Sequence, residues 1–345
     1  MGPGIRFKLD YGKQRTMLSR VANSIFWMSR YLERAVNAAR LIETQLHMIL
    51  DLPSLREDPN AWKPLVDITG DGDYFSEKVG APTRENVMFF HTFDSAYPHS
   101  IKSCMTSARE NARSVREVIP SEIWEMINKL YLEVAGMETN LKAFKNPHKF
   151  YSDIKMASDL IVGIAYTAMS RGEAWHFSQL GRYLERADKT SRILDVKYFI
   201  ILPRLDYVGS SMDNVLWSAL LKSTSSFEMY RKRFNLISPQ NIVDFLVFDR
   251  EFPRSIIYCV NHAEQSFLRI TGTPMGAFNN ELERQFGKLS AKLNYAKVSE
   301  VMSIGLHEFL DDIQSNLNNI DNAIFKNFFA IKQVTDSSHS GYHIQ

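Results

Sequence analysis

The chain has 345 residues, 45% hydrophobic and 23% charged, enough for one or two domains with a sizeable core. Its net charge of +2 supplies no field that would draw it to nucleic acid or to an anionic membrane. No apolar run approaches the roughly 18 residues a membrane-spanning helix needs, and the two cysteines, Cys104 and Cys259, lack metal-type pairing and point to reduced thiols in a cytoplasm.

The first sixteen residues hold three glycines and a proline and lack the apolar centre of a signal peptide. Gly2 does not open a myristoylation motif, because Arg6 occupies the position that requires Ser or Thr. Residues 1–16 therefore read as an extension, and either Met1 or Met17 can be the start. From Met17 to Leu50 the apolar positions Leu18, Val21, Ile25, Met28, Leu32, Ala35, Ala39, Ile42, Leu46 and Ile49 alternate in steps of three and four. That spacing predicts one long amphipathic helix. Residues 51–82, rich in proline and glycine, read as loop, with short helices near Trp62 and over 83–93. Helices are predicted over 98–118 and 120–144, the second opened by Pro120-Ser121-Glu122 and broken at Asn146-Pro147, and then over 148–169. A second long helix should fill 172–202, followed by helices over 212–235, 239–248, 253–271, 278–294 and 297–330. The tail 334–345 is polar and reads as frayed. No row of alternating strand residues occurs, so the expectation is an all-α multi-helix bundle filling 17–333 as one domain, with only a weak boundary near 170.

The two long helices share more than length. Arg-Tyr-Leu-Glu-Arg-Ala stands at 30–35 and again at 182–187, 152 residues later. At the same offset Arg40 matches Arg192, Ile49 matches Ile201 and Leu50 matches Leu202. The second apolar row runs Phe177, Leu180, Leu184, Ala187, Leu194, Tyr198 and Ile201, with Ser191 breaking it. An internal pseudo-repeat of two related halves is the expectation.

Leu18-Ser19-Arg20-Val21-Ala22 with Phe26-Trp27 and the first Arg-Tyr-Leu-Glu-Arg-Ala is one of six ordered blocks. The others begin at Ala108, Glu173, Leu180, Asp249 and Gly305: Ala-Arg-Glu-Asn-Ala-Arg, Glu-Ala-Trp-His-Phe, Leu-Gly-Arg-Tyr-Leu-Glu-Arg-Ala-Asp, Asp-Arg-Glu-Phe-Pro-Arg-Ser and Gly-Leu-His-Glu-Phe-Leu-Asp-Asp. In this the chain resembles the bacterial alpha-E family over about residues 17–330. Tyr97-Pro98-His99-Ser100 departs from the Asn-Pro-Ser-Ser more usual there. The resemblance implies an all-helical protein associated with a circularly permuted ATP-grasp protein, often with a transglutaminase-like protease nearby. ATP-grasp enzymes join a carboxylate to an amine through an acyl phosphate, so the implied setting is synthesis or processing of a small peptide or amide. No ATP-binding motif is visible in this chain, which places ATP on the partner and no cofactor here.

Arg30, Glu33, Asn37 and Arg40 form a second stripe on the first long helix, answered by Arg182, Glu185, Lys189 and Arg192, with Arg34 and Arg186 beside them. If the apolar stripe faces the core, these groups face away or lie at its flank. The plain reading is a solvated face of helical ion pairs, each contributing about 0.3–0.5 kcal/mol. The functional reading is an anion-binding groove, since arginine binds carboxylate and phosphate as a fork. Glu173 and His176 share Glu-x-x-His spacing, but a di-metal site needs two copies and further glutamates, and Glu173 suits the first turn of a helix. His307, Glu308, Asp311 and Asp312 form an acidic cluster on one helix, and Glu251 precedes Phe252-Pro253 as a helix entry. Arg109, Glu110, Arg113, Arg116 and Glu117 form another mixed-charge face.

The leading expectation is a cytoplasmic accessory subunit of an ATP-grasp-type peptide or amide ligase, binding the ligase or an acidic peptide through the repeated Arg/Glu faces. A rival is a stand-alone carboxylate- or metal-dependent enzyme in which Glu33, Glu185 and Asp312 converge on a peptide or amide; buried glutamates would favour it. A third is a structural homodimer of the long helices.

Overall fold

The computed structural model describes residues 17–56, 58–140, 145–201 and 211–329. The segments 1–16 and 330–345, where the extension and frayed tail were placed, lie outside the described residues. Fifteen α-helices and no strand occur among the described residues, and the fold is all-α. They are α1 (Ser19–Asp51), α2 (Lys63–Asp67), α3 (Gly72–Lys78), α4 (Arg84–Thr92), α5 (Ile101–Ser114), α6 (Ser121–Asn140) and α7 (Pro147–Ala168). Then follow α8 (Glu173–Ile201), α9 (Ser211–Ser223), α10 (Phe227–Arg233), α11 (Pro239–Val243), α12 (Ile256–Thr271), α13 (Glu281–Tyr295), α14 (Val298–Ile304) and α15 (Leu306–Ile324).

Local chemistry explains several of the ends. The Ser100 and Ser255 hydroxyls accept from the N–H groups of Ser103 and Tyr258, opening α5 and α12. Asn146 caps α7 with Pro147 just inside it. Gly272, at φ 74°, closes α12. Two predicted helices are each divided. Ser225 at φ 52° separates α9 from α10, and Gly305 at φ 118° separates α14 from α15. The 51–82 stretch, expected to be loop, holds α3, whose Phe75 ring meets Phe90 edge-on at 5.0 Å. Tertiary burial supplies what the local sequence lacks there.

α1 and α8 lie at the centre, and each carries its own set of partners. α1 packs on α5 and α7, and α5 and α7 both pack on α6. α8 packs on α12 and α15, and both of these pack on α13. The apolar core is correspondingly in two clusters, and the central helices interlock them. Phe26 and Leu41 of α1 belong to the cluster around α8, while Trp175 and Phe177 of α8 belong to the cluster around α1. The π-helical turn Phe325–Phe329 sits across this junction, with Phe329 5.6 Å from Phe26 and 6.2 Å from Phe177.

α1 and α8 run in the same direction, since Ser29 meets Ser178 (Oγ to Oγ, 2.9 Å) and, farther along both, Glu33 and Arg34 meet Arg186 and Glu185. Their backbones touch at Gly181, where a Cβ would lie 2.4 Å from the Phe26 carbonyl oxygen. Gly181→Ala should therefore lower stability by about 1–3 kcal/mol through overpacking, against alanine's higher helix propensity. Gly163→Ala, where a Cβ meets nothing within 4 Å, should raise it by about 0.4–1 kcal/mol. Urea unfolding of the two variants checks the pair.

Candidate functional site

The repeated charges do not face solvent. They form a buried ion-pair seam between α1 and α8. Arg34 of α1 grips Glu185 with Nε to Oε1 at 2.6 Å and Nη2 to Oε2 at 2.9 Å. Arg186 of α8 grips Glu33 with Nε to Oε1 at 2.9 Å and Nη2 to Oε2 at 2.8 Å. Each Glu-Arg pair thus crosses to the other helix, and both contacts are fork-like. Glu185 is 0% and Glu33 5% exposed. The expectation of a flank or outward face fails because Glu33 and Glu185 are each gripped by arginine from the other helix, a complementarity that no single helical wheel displays.

Each glutamate has a second arginine. Arg30 donates to Glu185 (Nε to Oε2, 2.9 Å) and to Asp321 of α15 (Nη1 to Oδ2, 2.5 Å). Arg254, in the turn before α12, donates to Glu33 (Nη1 to Oε1, 3.0 Å). The turns around the seam also correspond. Arg34 Nη1 meets His99 Nδ1 at 2.9 Å, and Arg186 Nη1 meets the Pro253 carbonyl at 3.2 Å. The Cys104 and Cys259 thiols point at the Pro98 and Pro253 carbonyls, at 3.8 and 3.6 Å. His99, Arg254 and Asp321 were not picked out from the sequence. The available signal was the likeness of Tyr97-Pro98-His99-Ser100 to Phe252-Pro253-Arg254-Ser255, two helix-opening turns.

The remaining members differ between the two sides. Arg192 donates through Nε to Asp188, at 2.9 and 3.1 Å, and Lys189 sits between Asp188 (3.1 Å) and Glu185 (3.7 Å). Arg40 is 4% exposed, donates to Asn37 Oδ1 at 3.0 Å, and has no partner for Nε. Arg182, 7% exposed, donates to the Tyr166 hydroxyl at 3.2 Å and to Gln179, and its Nε is also unpartnered.

Burial opposes ionisation of Glu33, but Arg186, Arg254 and Arg40 outweigh it and hold its carboxyl well below the usual carboxylate range. Burial is likewise outweighed at Glu185 by Arg34, Arg30 and Lys189. Neither group is set up as a general acid or as a base near neutral pH, where poised groups titrate. Burial pushes both cysteine thiols up to about 12, which removes them as nucleophiles. Burial, reinforced by facing Arg254, brings the Arg40 guanidinium down to about 9.

The secondary candidates lie apart from the seam. Glu173 accepts from the Met17 backbone N–H at 2.6 Å, in the first turn of α8. His176 Nδ1 is buried without a partner. His307, Glu308 and Asp311 are exposed on α15; His307 meets Asp195 at 2.8 Å, and Asp312 pairs with Lys292 at 2.5 Å rather than with Glu33 or Glu185. Glu251 is exposed. Arg109 and Arg116 lie over the Trp124 ring at 5.7 and 5.1 Å, so that mixed-charge face is partly a cation–π cluster.

Removing one partner of a buried pair strands the other. Glu33→Gln and Glu185→Gln should each cost about 3–5 kcal/mol in urea unfolding. Arg40→Met should be neutral or stabilising, because it removes a guanidinium that burial and Arg254 already disfavour. The folded carboxyls titrate below their unfolded value of about 4.3, so their contribution is complete above that value. It is lost as pH falls through it towards the folded value. The acid limb of stability against pH should accordingly be shallower in Glu185→Gln than in the parent chain.

Residues 17–329 match the model of the Alpha-E family, described as a predicted alpha-helical domain with a conserved ER motif. Over 326 residues the chain is 21% identical to an uncharacterized protein of Mycobacterium bovis and to one of Mycobacterium tuberculosis, and 20% identical to another from M. tuberculosis. Each alignment covers 87% of this chain and 35% of the relative, so the chain spans about a third of their length. No solved structure matches the chain. The Glu-Arg pairs at 33–34 and 185–186 close the buried seam, and the match over residues 17–329 places the chain in the Alpha-E family.

Proposed function

We propose that this protein is a non-catalytic, cytoplasmic accessory subunit of an ATP-grasp-type peptide or amide ligase system. In this reading it holds the ligase or an acidic peptide, and ATP stays on the ligase. The observation that carries the reading is the saturation of Glu33 and Glu185 by arginines. Carboxylates gripped by two guanidiniums each cannot exchange protons with a substrate, but they make a rigid frame that presents cationic groups around it. The partner class comes from the family resemblance. The greater length of the mycobacterial relatives, of which the match covers 35%, supports a domain that works beside others.

A stand-alone enzyme is the second reading, favoured by the burial of both glutamates. Their depressed titration argues against it. The repeated faces themselves are occupied within the chain, so docking would use the cationic groups bordering the seam rather than the glutamates.

The test is a tagged pull-down from the native bacterium at low salt, followed by reconstitution with the recovered ATP-grasp protein. Co-purification, and ATP-dependent amide formation that rises when this chain is added, are expected. An ATP-grasp protein that neither sediments with the chain nor changes rate overturns the accessory reading. A metal-loaded chain that cleaves or forms an amide alone would replace it with the enzyme.

A further inference from the structure

Beside the Glu185 half of the seam lies a cavity of about 70 Å³, roomier than a single water needs. It opens between α1, α8 and the segment from Leu65 to His99. Its floor is aliphatic: Ala38, Leu41, Ile42, Leu65 and Ile68. Its wall carries three cations, Arg34, Lys189 and Arg192, together with His91, His99, Asn37 and Thr69, and no carboxylate. Asp188 and Glu185 stand behind Lys189 and Arg192, and Asp71 is engaged by the Tyr97 hydroxyl at 2.5 Å.

Several groups on this wall have unused hydrogen-bonding capacity. Arg192 spends only Nε on Asp188, and its two Nη groups make no hydrogen bond among the described residues. His99 accepts from Arg34 through Nδ1, which leaves Nε2–H as a donor. Partial desolvation and the Arg34 guanidinium beside it hold the exposed His99 ring below the usual histidine range, so the ring is neutral at pH 7. His91 is 5% exposed, hydrogen-bonds the Leu65 backbone, and has a buried Nε2 with no partner. A buried polar atom left unpartnered costs free energy unless something meets it.

We propose that this cavity binds the carboxylate of a short aliphatic acid, either a free small molecule or the C-terminus of a peptide ending in an aliphatic residue. The carboxylate takes the Arg192 fork with Lys189, a planar bidentate match. The aliphatic body lies on Leu41, Ile42, Leu65 and Ile68. The site deepens the accessory reading, on which it rests for the source of the ligand but not for the binding itself.

Thermal unfolding and calorimetric titration of the full chain test it with four probes: isocaproate, isocaproamide, the peptide acetyl-Gly-Gly-Leu with a free carboxylate, and the same peptide amidated. Isocaproate at tenfold excess over its dissociation constant should raise Tm by about 2 °C, and isocaproamide should not. If the natural source is a peptide, the free-acid peptide binds more tightly than isocaproate; if it is a small molecule, the order reverses. Arg192→Gln should weaken binding by about tenfold or more. Ala38→Phe, which fills the cavity without touching a charge, should abolish it; the Tm of each unliganded variant shows that it folds. Equal shifts from acid and amide, or binding that survives both substitutions, overturn the proposal. Loss of carboxylate binding while the ATP-grasp complex still forms would sink the cavity and spare the accessory reading.

Discussion

Two carboxylates removed from water must be met by opposite charge at hydrogen-bonding distance, or the chain will not fold around them. Taking a carboxylate out of water costs several kcal/mol even after relaxation, so Glu33 and Glu185 fix what stands opposite. Arg186 and Arg34 must come from the other helix, at the same level, with their forks in plane. Shifting α1 along α8 by one turn, about 5.4 Å, would strand four charges at once. The Gly181 contact with Phe26 lets the two backbones come close enough for these forks to reach. Apolar packing alone tolerates sliding and substitution; the seam does not, and it is the element that sets the register of the whole bundle.

The two sides of the seam differ in charge although their central contacts correspond. On one side Arg30, Arg34, Lys189 and Arg192 face Glu185, Asp188 and Asp321. On the other, Arg186 and Arg254 share Glu33, Arg40 reaches only Asn37, and Arg182 meets the Tyr166 hydroxyl where Arg30 meets a carboxylate. The surplus charge there is only partly compensated. Arg182 lies against the Tyr166 and Tyr183 rings at 5.4 and 5.0 Å, which offers partial compensation. Arg40, brought down to about 9 by burial and Arg254, still carries its charge at neutral pH.

The helices were legible in the sequence because α1 and α8 each bury an apolar stripe, and a 3.6-residue period is a local property. Leu32, Ala35, Ala39 and Ile42 are buried where the period places them. The breaks at Ser225 and Gly305 were not legible, because each depends on one residue adopting positive φ inside an otherwise helical pattern. The repeated Arg/Glu residues were found but faced the wrong way. A lone helix with arginine and glutamate at steps of three and four explains them by pairing within itself. Pairing across 150-odd residues becomes visible only when both helices are side by side. Arg254 and Asp321 were missed for the same reason: neither belongs to a repeated string, and each matters only because it ends beside Glu33 or Arg30.

The same asymmetry decides where a ligand can enter. Arg254 is long enough to extend from its turn to Glu33, and it fills the space beside that carboxylate. His99, one residue after a proline in the corresponding turn, is shorter; it stops at Arg34 and leaves Glu185 to Arg34 and Arg30. A neutral ring in place of a guanidinium therefore opens the cavity that Arg192 and Lys189 border. The frame could not spare those cations if it needed them all for its own carboxylates. Glu185 already has two arginines at hydrogen-bonding distance, Lys189 reaches it at 3.7 Å and Asp188 at 3.1 Å, and Arg192 commits one nitrogen of three. Structural need is met by the inner arginines, and the outer cations remain available to an anion from outside.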